Sequence, residues 1–200
     1  MFYETAKNDH GLPHDPFKAI VAPRPIGWIS SLSAKGEINL APYSYFNGVS
    51  SKPPCVMFAS EGHKDSIANI AETREFVCSL ATWELREQMN ATSATVSREV
   101  DEFMLAGLTA APSKLVKPPR VAESPCALEC RLVKTVNLGD DDPSLADRQI
   151  VIGKVVGIHI DEQFIRNGIL DTAAMKPIAR CGYHDYAVVE RTFTLVRPES

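Results

Sequence analysis

The sequence predicts a mainly β protein with small helices, and three segments carry that prediction. Apolar residues alternate with small or polar ones over residues 26–32, and a Gly-containing turn at 34–36 leads into residues 38–41, which predicts a β-hairpin. Residues 127–138 and 149–160 are the two clearest strands, because both are long, β-branched and apolar on at least one face. An acidic stretch joins these two strands, so we expect a long antiparallel hairpin with a solvent-exposed tip.

Composition limits the classes of protein to consider. The chain has 200 residues, of which 44% are hydrophobic, so we expect one domain over residues 1–200 with a polar N-terminal arm at 1–17. A net charge of -4 without a Lys/Arg cluster argues against nucleic-acid binding. The apolar runs are too short for a membrane span and the N-terminus has no apolar core, so we expect a soluble cytoplasmic protein.

The cysteines predict neither a disulfide framework nor a zinc site. The five are scattered and lack CxxC spacing. We therefore expect buried, unreactive thiols and no metal. The cysteines lie at positions 55, 78, 126, 130 and 181.

The first predicted strand begins at residues 18–21 and is kinked by the prolines on either side of Arg24. These prolines favour an extended backbone, which could present Arg24 to an anion or to the edge of a ring. A solvated charge at the end of a strand is the alternative. His10 and His14 in the arm are interpreted as surface histidines or as contacts of a ligand near the hairpin.

Residues 43–51 form an aromatic and hydroxyl-rich segment between the hairpin and a third strand at 55–59. Such a segment can stack on a flat ring and hydrogen-bond to its edges, as flavin binding requires.

The third strand is followed by a polar turn and a helix that begins near Lys64 and Asp65, with Ile67 and Ile70 on its inner face. Free N–H groups at this helix start, beside Ser60, Lys64 and Ser66, suit a phosphate group. An ordinary capped helix is the alternative interpretation. Strand Glu75–Leu80 and a helix at 83–92 come next.

The remaining segments are less regular. Residues 97–123 predict a binding loop, a cover or intersubunit packing, because structureless loops of that length are rare in compact domains. Residues 164–174 predict a short element or turn, and a final strand is expected through Phe193 and Leu195. Arg180, Tyr183 and His184 form a second polar and aromatic group before that strand.

Motifs for nucleophilic or acid–base catalysis are missing from the sequence. It contains no GxSxG, SxxK, HExxH or GxGxxG pattern, and no pair of acids stands out by position. We therefore assign no catalytic side chain and expect a bound cofactor to carry the chemistry.

A set of linked motifs closely resembles the flavin reductase-like proteins of the FMN-binding split-barrel fold, over nearly the whole chain. The motifs are PRPIGWISS from Pro23, GEINLAPYSYFN from Gly36, PPCVMF from Pro53, KDSIAN from Lys64, EFV from Glu75, MNATS from Met89, GLT from Gly107 and PRV from Pro119. The resemblance implies a six-stranded antiparallel Greek-key barrel, a homodimer, and one FMN per subunit near the dimer interface.

The resemblance also implies which residues bind the cofactor. The residues that would line the isoalloxazine are Ser44, Tyr45, Phe46 and Asn47. Those that would bind the ribityl chain and phosphate are Ser60, Lys64, Asp65 and Asn69. Further phosphate or ring contacts are assigned to Trp28, Ser30 and Ser31, and contacts across the dimer to Arg24 and Arg180, with His14 and Tyr183.

The activity implied by the resemblance is an NAD(P)H-dependent flavin reductase that passes a hydride to flavin N5. Reduced flavin or electrons would then reach a partner monooxygenase or another acceptor. Two alternatives stay open: FMN is a fixed group in an electron carrier or flavin store, or the barrel binds another flat ligand such as haem or pyridoxal phosphate. No sequence feature chooses between NADH and NADPH.

Overall fold

The fold consists of short helices around one large sheet and three small ones, and the computed structural model describes residues 1–198. Its strands are β1 (Arg24–Pro25), β2 (Gly27–Leu32), β3 (Ile38–Tyr43), β4 (Phe46–Ser51), β5 (Pro54–Glu61), β6 (Glu75–Leu80), β7 (Ala110–Ala111), β8 (Arg120–Val121), β9 (Cys126–Asn137), β10 (Arg148–Ile160), β11 (Ile165–Arg166), β12 (Ile169–Leu170), β13 (Ile178–Arg180) and β14 (Tyr186–Val188). Its α-helices are α1 (Phe17–Ile20), α2 (Asp65–Thr73), α3 (Arg86–Ala91), α4 (Glu102–Leu105) and α5 (Thr172–Met175). Single 3₁₀ turns span Leu138–Asp140, Pro143–Leu145 and Glu162–Phe164. No helix within residues 1–198 is long and apolar enough to cross a membrane.

The large sheet is antiparallel and has the order β3-β2-β6-β9-β10-β5-β4. It contains seven strands, one more than the six expected. Strand β4 was not predicted as a strand, and it lies in the aromatic and hydroxyl-rich segment at 43–51. Its backbone pairs with β5, so the edge of β5 does not remain exposed.

One face of the large sheet encloses a single core, so the sheet is curled into a barrel. Side chains from β2, β5, β6, β9 and β10 meet there, together with Ile67 and Ile70 of α2. Strand β3 approaches the opposite end of the sheet through the Tyr43 ring, whose centroid lies 4.6 Å from that of Phe58 on β5. Helix α2 forms as predicted and buries Ser66, Ile67, Asn69 and Ile70, then ends at Arg74 in the left-handed conformation.

The other face of β2 and β3 packs against a second core, which includes Trp28, Leu40, Met89 and Phe103. The loop at 97–123 supplies part of this cover and contains α4, β7 and β8, whereas an irregular segment was expected. Residues 139–147, between β9 and β10, form the expected tip with two 3₁₀ turns.

Two predictions about the chain ends are wrong. Residues 18–21 do not begin a strand: Phe17–Ile20 is a helical turn, because the Asp15 carboxylate accepts a hydrogen bond from Phe17 N and Val21 N donates to Phe17 O. The arm therefore ends at Pro16. The final strand is Tyr186–Val188, and residues 189–198 have no regular structure.

Candidate functional site

Polar side chains surround the start of α2, where β3 and β5 end. The Nδ2 group of Asn39 donates to Ser66 Oγ at 2.8 Å. Burial raises the pKa of Tyr43, and the hydroxyls of Ser66 and Ser60 offset part of this increase. Ser60 is 3% exposed, and its Oγ faces the Tyr43 hydroxyl but makes no hydrogen bond of ordinary geometry within the described part of the chain. A buried hydroxyl of this kind is available to a ligand.

The start of α2 is uncapped within the described residues. Its N-cap residue is Lys64, which is exposed, and no side chain accepts a hydrogen bond from the first turn. The helix dipole and the free N–H groups give this position partial positive charge, to which Lys64 adds a full charge. We call the adjoining cleft, of about 250 Å³, the helix groove; its lining includes Tyr43, His63, Lys64, Ser66 and Thr95.

One carboxyl group also lines the helix groove. Glu102 is 8% exposed and accepts a hydrogen bond from Leu40 N at 3.0 Å. Burial raises the pKa of Glu102, although the Leu40 N–H partly offsets this. A raised pKa means that this site disfavours the charged form of Glu102 relative to water.

Arg98 lies beside the same helix start and was not predicted from the sequence. Its Nη2 donates to Asn69 Oδ1 at 2.8 Å, and its guanidinium lies 3.7 Å from Asp65 Oδ1 and 3.6 Å from Glu37 Oε2. Asp65 and Asn69 are therefore engaged with Arg98. No local pattern could have identified this residue, because its partners are distant in sequence.

A second cleft, which we call the strand groove, has a volume of about 470 Å³. Four predicted ring-binding residues line it: Ser44, Tyr45, Phe46 and Asn47. Residues of α1 and β1 also line this groove. Consecutive residues of the chain line the two grooves: Tyr43 lines the helix groove, and Ser44 lines the strand groove.

Phe46 reaches back into the barrel. A Cβ atom at Gly27 would lie 2.6 Å from Phe46 Cδ2, so only glycine leaves room for this ring. The Phe46 ring also packs against the inner core. Phe46 thus forms part of the wall of the strand groove, and its packing against the barrel core fixes its position.

Arg24 lines the strand groove, but its charge is directed toward backbone. It is 7% exposed and donates to the carbonyls of Lys18 at 2.7 Å, Val21, and Cys181 at 3.0 Å. Its guanidinium carbon also lies 5.6 Å from the Tyr45 ring centroid. Arg24 therefore fixes α1 and Tyr45 around the groove.

Three predicted site residues of β2 are fully buried. Trp28 Nε1 donates to Thr92 Oγ1 at 2.9 Å, and Ser30 Oγ donates to the Pro119 carbonyl. Ser31 lies on the opposite face of the strand and accepts from Asn69 Nδ2 at 3.2 Å. The polar atoms of these three side chains already have hydrogen-bond partners within the protein. They hold in place the segments around the helix groove.

Arg180 pairs with Arg24 across β13 and β1, but it lines neither of the two grooves described above. It borders a third cleft, between α3 and β14, together with His184 and Tyr186. Tyr183 contacts the arm, where the His14 ring centroid lies 5.3 Å from its own.

Comparison with known proteins identifies the type of domain. A family model described as "Flavin reductase like domain" matches residues 21–175. Nitrilotriacetate monooxygenase component B from Bacillus cereus is 30% identical, with a TM-score of 0.87 and 98% of each chain covered. The Pseudomonas fluorescens 2-nitrobenzoate 2-nitroreductase NbaA is 26% identical, with a TM-score of 0.86, over 99% of this chain and 96% of that one.

A protein with a split barrel domain from Shewanella frigidimarina NCIMB 400 is 21% identical. Its TM-score is 0.83, over 98% of this chain and 94% of that chain. This likeness shows that the barrel described above is a split barrel.

Proposed function

The chain belongs to the flavin reductase-like family, and we propose that it is an FMN-binding oxidoreductase that uses NADH or NADPH. Family membership supports a flavin-related function. The observation that carries the finer proposal is that consecutive residues line the two grooves, Tyr43 the helix groove and Ser44 the strand groove. A cationic, uncapped helix start lies next to an aromatic and hydroxyl-rich strand segment, which matches the phosphate and ring of one FMN.

The residues present fit a phosphate group. Lys64 and the free N–H groups of α2 would donate to the phosphate oxygens, and the unpartnered Ser60 hydroxyl would serve the phosphate or the ribityl chain. Asp65 and Asn69 would act indirectly, because they hold Arg98 beside the helix start. Arg98 itself would add positive charge.

The strand groove fits a flat ring. Tyr45 and Phe46 offer apolar faces, while Ser44, Asn47 and nearby backbone groups would hydrogen-bond to the ring edge. Bound FMN would supply the hydride acceptor and nicotinamide the donor. The residues of the groove would hold the two rings together and exclude water. Hydride transfer between the rings needs no acid or base from the protein, so no side chain is assigned to acid–base catalysis.

We further propose that a partner monooxygenase or another acceptor takes up the reduced flavin or the electrons. The similarity to nitrilotriacetate monooxygenase component B supports this role. The test is an absorbance spectrum of the purified protein, repeated after anaerobic addition of NADH and then NADPH. Rapid bleaching of flavin bands would support the reductase and identify the donor. Flavin bands that do not bleach would indicate an electron carrier or store, and failure to bind FMN on titration would overturn the proposal.

Lys64→Ala is expected to weaken FMN binding about ten- to a hundred-fold. A hydrogen bond to a charged group contributes about 1.5–3 kcal/mol, and this variant removes one from the phosphate. The measurement is fluorescence titration of the flavin-free protein with FMN. Lys35→Ala, at an exposed position in the β2–β3 turn, is the matched control and should leave the affinity unchanged. Equal affinity in the two variants would remove Lys64 from the site.

We also propose a homodimer, supported by the C-terminal segment. Phe193, Leu195 and Val196 are each more than 80% exposed on a stretch without regular structure, which suits packing against a second copy. The double variant Phe193→Ser/Leu195→Ser should therefore shift the protein from dimer to monomer in light scattering after size exclusion. Phe2→Ser, which changes another exposed aromatic residue, is the control. A dimer that survives the double variant would exclude this segment from the interface.

A further inference from the structure

The cleft between α3 and β14, which we call the third groove, has a volume of about 450 Å³ and lies outside the two grooves assigned to FMN. Its floor is apolar and is formed by Met89, Ile178 and Val188. Its sides carry two guanidinium groups, two aromatic rings and a histidine. This volume is within the range of small-molecule sites.

Both guanidinium groups are held against aromatic rings. The Arg86 guanidinium lies 4.0 Å from the Trp83 ring centroid, and Arg86 Nη1 donates to Trp83 O at 2.7 Å. The Arg180 guanidinium lies 4.7 Å from the Tyr186 ring centroid and donates to Tyr186 Oη at 2.6 Å. A further bond from Arg180 Nη2 to the Tyr183 carbonyl fixes its position. These contacts already restrict the side chains of Arg86 and Arg180, so each loses less conformational entropy when a ligand binds.

The net charge of the third groove is positive. Glu87 is the one acidic residue among those of the described chain that line it, and its Oε1 lies 3.4 Å from Arg86 Nε. Arg180 has no carboxylate within 4.0 Å in residues 1–198. A guanidinium with unused donors beside exposed aromatic rings favours a ligand that combines a flat ring with an anionic group.

We propose that the third groove binds an aromatic anion, namely the adenosine phosphate end of the nicotinamide donor. This inference rests on the proposed function. Arg180 pairs directly with Arg24 across β1 and β13, and β14 lies on the far side of β13. Neighbouring strands are about 4.8 Å apart, so β14 lies roughly 10 Å from the strand groove side of this sheet. A dinucleotide is long enough to bridge that separation with its nicotinamide over the strand groove.

The two tryptophans allow a direct test. Trp28 is 0% exposed, whereas Trp83 is 45% exposed and lines the third groove, so a ligand there should change the fluorescence of Trp83 alone. The FMN-loaded protein is titrated with 2′-AMP, 5′-AMP and benzoate. We expect a saturable change with an adenosine phosphate, which the Trp83→Phe variant should lack. Arg180→Gln should weaken the binding about ten-fold or more, and Arg166→Gln, at an exposed arginine elsewhere, should not.

Two other results of the titration contradict the proposal. Saturation with benzoate but not with either adenosine phosphate would assign the groove to an aromatic carboxylate, and no saturation with any probe would leave it without this function. Reduced nicotinamide mononucleotide, which lacks the adenosine phosphate, separates this inference from the proposed function. If that mononucleotide reduces the flavin and Arg180→Gln raises KM for the dinucleotide only, both proposals stand. If neither donor reduces the flavin, the reductase proposal fails, while adenosine phosphate binding is still measured independently.

Discussion

Glu129→Gln is expected to lower the free energy of unfolding by about 3 kcal/mol. Glu129 is 0% exposed on β9, and its carboxylate accepts hydrogen bonds from Lys114 N at 2.7 Å, Leu115 N at 2.6 Å and Val116 N at 3.2 Å. His159 Nε2 lies 2.5 Å from Glu129 Oε1. A glutamine offers one oxygen and an NH₂ group in place of two oxygens, so at least one of these buried donors would lose its acceptor.

The effect should depend on pH. Burial acts to raise the pKa of Glu129, but the hydrogen bonds from Lys114 N, His159 and Leu115 N outweigh it, and the pKa falls below its ordinary value of 4.5. A carboxyl group whose pKa is lowered by folding stabilises the protein above the unfolded-state pKa, and this contribution is lost as pH falls through the folded-state pKa. The difference between the wild type and Glu129→Gln should therefore be largest near neutral pH and shrink in acid.

Urea unfolding of both proteins, near neutral pH and again below about pH 4, measures this dependence. Glu162→Gln, at an exposed position, is the matched control and should change the unfolding free energy by less than about 0.5 kcal/mol. A Glu129→Gln protein as stable as the control at neutral pH would show that the carboxylate does not hold the 114–116 segment.

Much of the fold could be predicted because its signals are local. The β2–β3 hairpin, the Glu75–Leu80 strand and the start of α2 follow from alternation, a glycine turn and a polar break before an apolar helix face. The long β9–β10 hairpin follows for the same reason. In these segments, local preference and tertiary packing favour the same structure.

The errors occur where tertiary contacts override the local pattern. Residues 18–21 look like a strand, but α1 packs so closely on the 181–182 segment that a Cβ at Gly182 would lie 2.5 Å from Ala19 Cβ. The helix predicted at 83–92 begins only at Arg86, since Trp83 N donates to the Lys176 carbonyl. Phe193 and Leu195 have strand-like alternation without a neighbouring strand in the described residues.

The candidate site was predicted unevenly for a related reason. Tyr45 and Lys64 lie in contiguous motifs whose chemistry can be interpreted locally. Arg98 gains its position only when the β2–β3 turn, α2 and the 97–101 segment come together. Ser30 and Ser31 are adjacent in sequence, yet strand alternation places them on opposite faces, and burial engages both within the chain.

Gly153→Ala is expected to destabilise the protein by about 3 kcal/mol and to weaken FMN binding as well. A Cβ at position 153 would lie 2.3 Å from Phe76 Cζ, inside any normal contact distance. Phe76 is fully buried and packs edge-on against Phe58, with centroids 5.7 Å apart, so its ring cannot move without displacing neighbours. Phe58 in turn packs against Tyr43, which lines the helix groove.

Thermal unfolding and FMN titration of the same variants separate the two effects. Gly48→Ala is the control, because a Cβ there meets nothing within 4 Å in the described chain and should change neither quantity appreciably. Adding Phe76→Leu to Gly153→Ala removes the clashing ring atoms and should recover part of the stability. If stability falls but the affinity of the folded protein for FMN does not, the row of rings from Phe76 to Tyr43 does not couple the core to the helix groove. A fall in both, with partial recovery of both in the double variant, would show that Gly153 maintains the shape of the helix groove through the packed rings of Phe76, Phe58 and Tyr43.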